Sequence, residues 1–160
     1  MAFDAFLKID GIPGESLDRQ HKDEIEIESF SWGLSNTGSI GSGGGGAGAG
    51  KAVLQDFHFT SKLSKASPLL LKACATGQHL KEALLTVRRG GGEGRGGNEY
   101  LKIKLSDILV SSLAPGGEAT DEFPSESFSL NFLKIDFLYT AQRSGEVVQT
   151  SFDQGQGKIG

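Results

Sequence analysis

The chain has 160 residues, 37% of them hydrophobic, a formal net charge of −4 and one cysteine, Cys74. That length and apolar content suit one domain, residues 1–160, around one core. The weak acidity gives no general attraction to nucleic acid or an anionic membrane, a lone cysteine allows no internal disulfide, and runs such as Leu69-Leu70-Leu71 are far too short to span a bilayer.

Residues 1–10 interleave Asp4, Lys8 and Asp10 with Phe3, Phe6, Leu7 and Ile9, which is not the uninterrupted apolar region of a secretory signal. Phe6-Leu7-Lys8-Ile9-Asp10 alternates and predicts a strand ending at the turn Gly11-Ile12-Pro13-Gly14. Glu15 to Asp23 is polar and reads as a surface connection. Ile25 and Ile27 then alternate with Glu24, Glu26 and Glu28, the pattern of a half-buried strand. After Ser29 the large residues move to Phe30 and Trp32. A slip of one in such a pattern predicts a bulge, or a strand that leaves one packed layer for another. Gly33 to Gly50 is nearly all Gly, Ser and Ala and predicts a mobile extended loop, since it holds too little apolar surface to offset its backbone entropy.

Val53 to Thr60 predicts a strand with Val53, Phe57 and Phe59 on one face. Ser67-Pro68 predicts a helix start, with Ser67 as N-cap, Pro68 in the first helical position and Gly77 as the stop. Ala83 to Arg89 is a further strand, and Gly90 to Gly97 a glycine-rich hairpin loop. Tyr100 to Val110 places Leu101, Ile103 and Leu105 on one face and changes phase at Ile108 and Val110. Glu126 to Ala141 carries Phe128, Leu130 and Phe132 on one face, then Leu133, Ile135, Phe137 and Tyr139 on the other. Val147, Val148 and Phe152 make a short last strand. Three phase changes point to long strands that bend round a barrel corner, or to an outer face covered by another subunit.

Several motifs resemble chemistry and fall short of it. Gly45, Gly50 and Lys51 fit the spacing of a phosphate-binding loop, but Ala52 removes the magnesium-binding hydroxyl, and a strand follows where a helix is needed. His21, His58 and His79 have no cysteine or carboxylate at metal-ligand spacing and read as surface or packed histidines. Glu24, Glu26 and Glu28 read as a solvated face or as partners of Arg88 and Arg89 on a neighbouring strand. Cys74 sits in the apolar helix as a small hydrophobe. No catalytic, metal or cofactor constellation stands out, so the chain is not expected to be an enzyme. A nucleotide-binding enzyme and a monomeric β-barrel binding module, for example for carbohydrate, are the competing classes.

An ordered series of short stretches resembles the haemolysin-coregulated protein (Hcp) family, the tube component of type VI secretion. It begins with Phe6-Leu7-Lys8-Ile9, Gly14-Glu15-Ser16, His21 with Ile25, and Phe30-Ser31-Trp32-Gly33. It continues through Gly50-Lys51, Asp56 with Phe59-Thr60, Ser67-Pro68-Leu69 and Ala73-Cys74. It ends with Tyr100-Leu101, Val110-Ser111-Ser112, and Leu130-Asn131-Phe132 with Tyr139. Ser151 to Gly160 departs from the family pattern, because it lacks the tryptophan that often closes such chains. The resemblance implies a mainly β protein: a small antiparallel β-barrel of two packed sheets, with one short flanking α-helix and long glycine-rich loops. It implies a homo-hexameric ring, rings stacked into a hollow tube, a contractile sheath, a spike protein, and effectors carried in the lumen. It also implies synthesis in the bacterial cytoplasm without a signal peptide, export by the type VI machinery, and no nucleic-acid or membrane-inserted state.

Two sets of residues follow from joining that resemblance to the residue pattern. Ser29 and Ser31 point opposite to Phe30 and Trp32 on a simple pleat, so they are the candidates for a wet, cargo-facing lumen wall. Ile40, Gly43, Gly46 and Lys51 lie in the glycine loop, the candidate ring-stacking element.

Overall fold

The computed structural model describes residues 3–38, 40, 51–90, 99–155 and 158–160. Its elements, in chain order, are β1 (Phe3–Ile9), β2 (Ile25–Ile27), β3 (Ser29–Ser31), β4 (Leu34–Asn36), β5 (Ala52–Leu54) and β6 (Phe57–Lys62). Then come α1 (Ala66–Thr76), β7 (His79–Arg89), β8 (Glu99–Gly116), β9 (Ser125–Thr140), β10 (Val147–Asp153) and β11 (Lys158–Ile159).

One antiparallel sheet runs β11-β10-β9-β8-β7-β1-β2 and forks at β9, which also pairs with β6. The slip at Ser29 is what brings the sheet round on itself. Ile25 and Ile27 lie against β1, Glu28 N–H donates to Thr60 O at 2.8 Å, and Ser29 to Ser31 lie against β6. The chain thus passes from one edge of the sheet to the other within a single extended stretch, and β6 hands it on to β9. The result is a nearly closed antiparallel barrel. Ile25 and Ile27 face inward on one side of the crossing and Phe30 on the other, while Glu28 and Ser29 are both exposed.

The two other phase changes are one event. β8 buries Ile103 and Leu105, then Ile108 and Val110, and β9 buries Phe132, then Ile135. Leu105 pairs with Ile135 and Ile108 with Phe132, so cross-strand partners must share a face and both strands must flip together. Asp107 performs the flip on β8 with φ of 57°, in the left-handed region. Leu133 stands opposite and is exposed, as is Tyr139, so the expected second apolar face of β9 reduces to buried Ile135 and half-buried Phe137.

Phe57 is fully buried and centres the aromatic core, stacking on Phe59 at 4.7 Å and on Trp32 at 6.0 Å between ring centroids. α1 closes one end of the barrel by burying Ala66, Leu70 and Ala73, and stops at Gly77, whose φ of 65° is the left-handed cap that glycine takes without strain. The helix starts earlier than the sequence suggests. Lys65, not Ser67, is the N-cap, and Pro68 is the third helical residue, still within the first turn where no intrahelical N–H bond is lost. Ser64 and Ser67 share the capping: Ser64 Oγ accepts from Ala66 N–H, and Ser67 Oγ accepts from Ser64 N–H at 3.0 Å.

Three further expectations change. Val53 is exposed and Leu54 buried, because Gln55 and Asp56 separate β5 from β6 and the two strands do not share a face. Leu34 to Asn36, inside the stretch expected to be loop, forms β4 and pairs with β5 as a separate hairpin. The last strand is two, since β10 turns back into β11, with Ser151 and Gly160 exchanging backbone hydrogen bonds at 2.9 Å. Among the described residues no helix is long and apolar enough to cross a membrane.

Candidate functional site

The outer surface of the β3-β6-β9-β8 quarter of the barrel is built from small polar side chains. Antiparallel register sets Ser29, Thr60 and Ser127 in one rung and Ser31, His58, Ser129 and Ser112 in the next but one. The intervening rung is Phe30, Phe59, Phe128 and Leu113, which point inward to the core. This alternation is the pleat itself: each strand spends one face on aromatic packing and leaves the other polar. Ser29 and Ser31 are both exposed, on the side opposite Phe30, as the sequence reading requires.

Hydrogen bonds tie most of this face together. Ser29 Oγ and Thr60 Oγ1 lie 2.5 Å apart. Asp56 accepts from Ser111 Oγ at 2.7 Å and from Asn131 Nδ2 at 2.9 Å. A register shift between Val110 and Ser112 sets two serines, Ser111 and Ser112, against the single hydroxyl of Ser129, and both bond to it. Between β3, β6 and β9 lies a shallow hollow of about 260 Å³, its rim carrying Ser31, His58 and Ser127. Ser, His and Asp all stand on this face, yet Asp56 is engaged by Ser111 and Asn131 and not by a histidine. The arrangement is a hydrogen-bonding surface without the relay of an acid–base triad. The signal for it was present in the alternation Ser125, Ser127, Ser129, Asn131. What the strand pattern alone did not reveal is that β6 and β8 add His58, Ser111 and Ser112 to the same surface, with Asp56 just ahead of β6.

On the far side of the barrel the segment 12–24 folds over β1 and β7. Gly14 N–H donates to Asp23 O and Ser16 N–H to Glu24 O, and a Cβ on Gly14 would sit 2.5 Å from the Glu24 carbonyl oxygen. His21 stacks on Phe6 with ring centroids 4.5 Å apart, and the Arg88 guanidinium covers Phe6 at 4.8 Å. Arg88 donates to Asp18 at 2.5 Å and to Asp4 at 3.4 Å, and His21 lies between Glu24 at 3.1 Å and Glu99 at 2.6 Å. The guanidinium hydrogen bond holds the Asp18 carboxyl below its ordinary range against the opposing effect of burial. Burial pushes the Glu24 carboxyl up, with His21 pulling it back. Of the two readings of Glu24, Glu26 and Glu28, the solvated face holds for exposed Glu26 and Glu28, and pairing with Arg88 and Arg89 fails. Arg88 is taken by Asp18 and Asp4, and Arg89 donates to Gln142 at 2.8 Å. His21 is a packed histidine that ties this segment to β8.

Among the described residues no group of His, Cys, Asp and Glu is disposed to hold a metal ion. Of the loop candidates, Ile40 and Lys51 are exposed, Lys51 leading directly into β5; Gly43 and Gly46 lie outside the described residues.

The described residues form a nearly closed, mostly β barrel with one short helix and a hydroxyl-lined outer face. A search of family models matches residues 6–139 to the family described as "Type VI secretion system effector, Hcp". The chain belongs to the Hcp family of type VI secretion. It is 43% identical over 144 residues to Protein hcp1 of Pseudomonas aeruginosa, covering 90% of this chain and 87% of that one. Its fold is similar to the crystal structure of Hcp1 from Salmonella typhimurium, with a TM-score of 0.84, 34% identity and 99% of each chain covered. It is also similar to a type VI secretion system effector from Yersinia pestis, with a TM-score of 0.76, 33% identity, and 94% and 99% of the two chains covered. The family comprises structural tube components that the secretion machinery exports; it is not a family of enzymes.

Proposed function

We propose that this protein forms six-membered rings that stack into the inner tube of a type VI secretion system, and that the β3-β6-β9-β8 face lines the lumen and holds effectors in transit. The observation that carries the reading is the set of small polar side chains, Ser29, Ser31, Thr60, Ser112 and Ser127, that surrounds His58 across the strands of one face. A channel wall must stay wet and leave room for cargo, and small hydroxyls do both. A ring needs two different patches that meet, and apolar side chains stand exposed on separate elements: Val147 and Val148 on β10, Leu34 and Val53 on the β4-β5 hairpin. No step of catalysis is assigned to the chain. Sheath and spike are its partners in the machine, and the route of the protein is from the bacterial cytoplasm outward through it, with no membrane-inserted or nucleic-acid-bound state.

The test is Ser31→Trp. The variant is expected to keep the ring mass of the parent in light scattering and to lose co-purifying effector. If it is monomeric, Ser31 belongs to an interface and the lumen assignment is wrong. A parent protein of monomer mass would leave the fold as a stand-alone binding module instead.

A further inference from the structure

Most polar groups of the hydroxyl face are already spent on one another, and the few that are not fall together. Ser29 and Thr60 bond each other, and Ser111, Ser112, Ser129, Asn131 and Asp56 form one connected network. Ser31, His58 and Ser127 take no part in any of these bonds, and all three border the same hollow of about 260 Å³. His58 is exposed, flanked in register by Ser31 on β3 and Ser129 on β9, with its backbone fixed by both neighbouring strands. Among the described residues of this face it shares the capacity for positive charge with Lys62, four residues further along β6, whose ammonium lies over the Phe123 ring. The carboxylate nearest it in the chain, Asp56, stands two residues earlier, just ahead of β6, and already accepts from two donors. The near residues of β3, β8 and β9 that share the face, Ser29, Ser31, Ser111, Ser112, Ser127 and Ser129, carry no charge.

We infer that His58 is a specificity-determining residue of the cargo face, and that with Ser31 and Ser127 it selects an extended segment of the effector bearing carboxylates. The inference rests on the lumen reading above and adds the chemistry of what is held there. Three unpaired groups in one rigid patch can each donate to an acceptor without breaking a bond the protein already has, so little reorganisation opposes binding. A carboxylate is the acceptor that gains most, because its bond to a protonated imidazole is charge-assisted. Imidazole is also the group whose charge changes within the physiological range, so retention should tighten as the surroundings become mildly acidic. In a ring the site recurs once per subunit, and several weak contacts along one acidic segment add through high effective concentration.

The experiment uses the full-length protein and two synthetic peptides: an acidic one of alternating Gly and Asp, and its amide twin of alternating Gly and Asn. Binding is followed through the imidazole resonances, three in this chain, with His58 assigned by its loss in His58→Gln. The acidic peptide should move the His58 resonance and bind at least about fivefold more tightly near ~pH 5.5 than near ~pH 8, while the twin shows no such dependence. His58→Gln should abolish the pH dependence, and His58→Lys should restore tight binding without it. Equal binding of the two peptides, binding of neither, or unchanged pH dependence in His58→Gln overturns the proposal. The lumen reading is judged separately by effector retention: if Ser31→Trp loses effector while His58→Gln keeps it, the face is right and the role of His58 is wrong.

Discussion

Two buried charges show how single residues are held in this barrel. Glu126 points inward beneath the start of α1, is 3% exposed, and accepts one hydrogen bond, from Ser67 Oγ at 2.9 Å; its other oxygen and the hydroxyl of its cross-strand neighbour Ser61 are buried without a partner. Burial therefore raises its carboxyl above the ordinary value, with the Ser67 bond opposing the rise. A carboxyl raised in the folded state favours folding while it is neutral and costs stability as pH climbs through its folded value. Glu126→Gln should thus unfold at a higher temperature than the parent at neutral pH, by the equivalent of about 1 kcal/mol, and the gap should close in acid. Asp18 has the opposite sign. Its carboxyl is lowered by Arg88, so its contribution is present above the ordinary carboxylate value and is lost as pH falls through the folded value. Asp18→Asn leaves a guanidinium that is 2% exposed with Asp4, at the longer distance, as its remaining charged partner. It should cost about 3 kcal/mol at neutral pH and progressively less in acid, read from unfolding curves at one fixed protomer concentration.

At the scale of elements, alternation along each strand was enough to find β1, β2 and the first parts of β8 and β9, while it shows β7 only from Ala83 and β8 only as far as Val110, short of its end at Gly116. The slip at Ser29 marked the true crossing from one sheet edge to the other. What alternation cannot carry is partnership. The sequence shows that β8 and β9 each change phase, but only pairing Leu105 with Ile135 and Ile108 with Phe132 shows why they do so together. β4 escaped notice because three exposed residues, Leu34 to Asn36, bury nothing and so leave no hydrophobic signature; backbone pairing alone makes them a strand. Glu15 to Asp23, read as a surface connection, does expose most of its side chains, but Ser16, Asp18 and His21 are buried, and Asp18 and His21 pair with charges from distant strands. The hairpin β4-β5 carries the glycine stretch between its strands, flanked by exposed Ile40 and Lys51. Deleting Ser42 to Ala49, which contains Gly43 and Gly46, should leave Leu34-Leu54 pairing and the ring mass intact while preventing rings from growing into tubes. Long tubes from the shortened protein in electron micrographs would mean the stretch has no stacking role.

At the scale of the whole molecule, the barrel separates its surfaces by chemistry. One face is hydroxyl-rich, the opposite side is clamped by Arg88, Asp18, His21 and Glu99, and exposed apolar side chains are spread over β10, the β4-β5 hairpin, α1 and the β8-β9 pair. A chain that closes its sheet within one subunit has few free edges for random pairing, so in the proposed ring these side chains are the ones expected to make the contacts between copies. The account stands on the hydroxyl face looking into the hole of a ring. Electron microscopy of a Cys74→Ala protein carrying Ser31→Cys, labelled with a maleimide gold cluster, reads that placement directly. Six-fold rings with the added density inside the hole are the predicted result. Density on the outer wall or at the junction between subunits, or particles that are not rings, would contradict it.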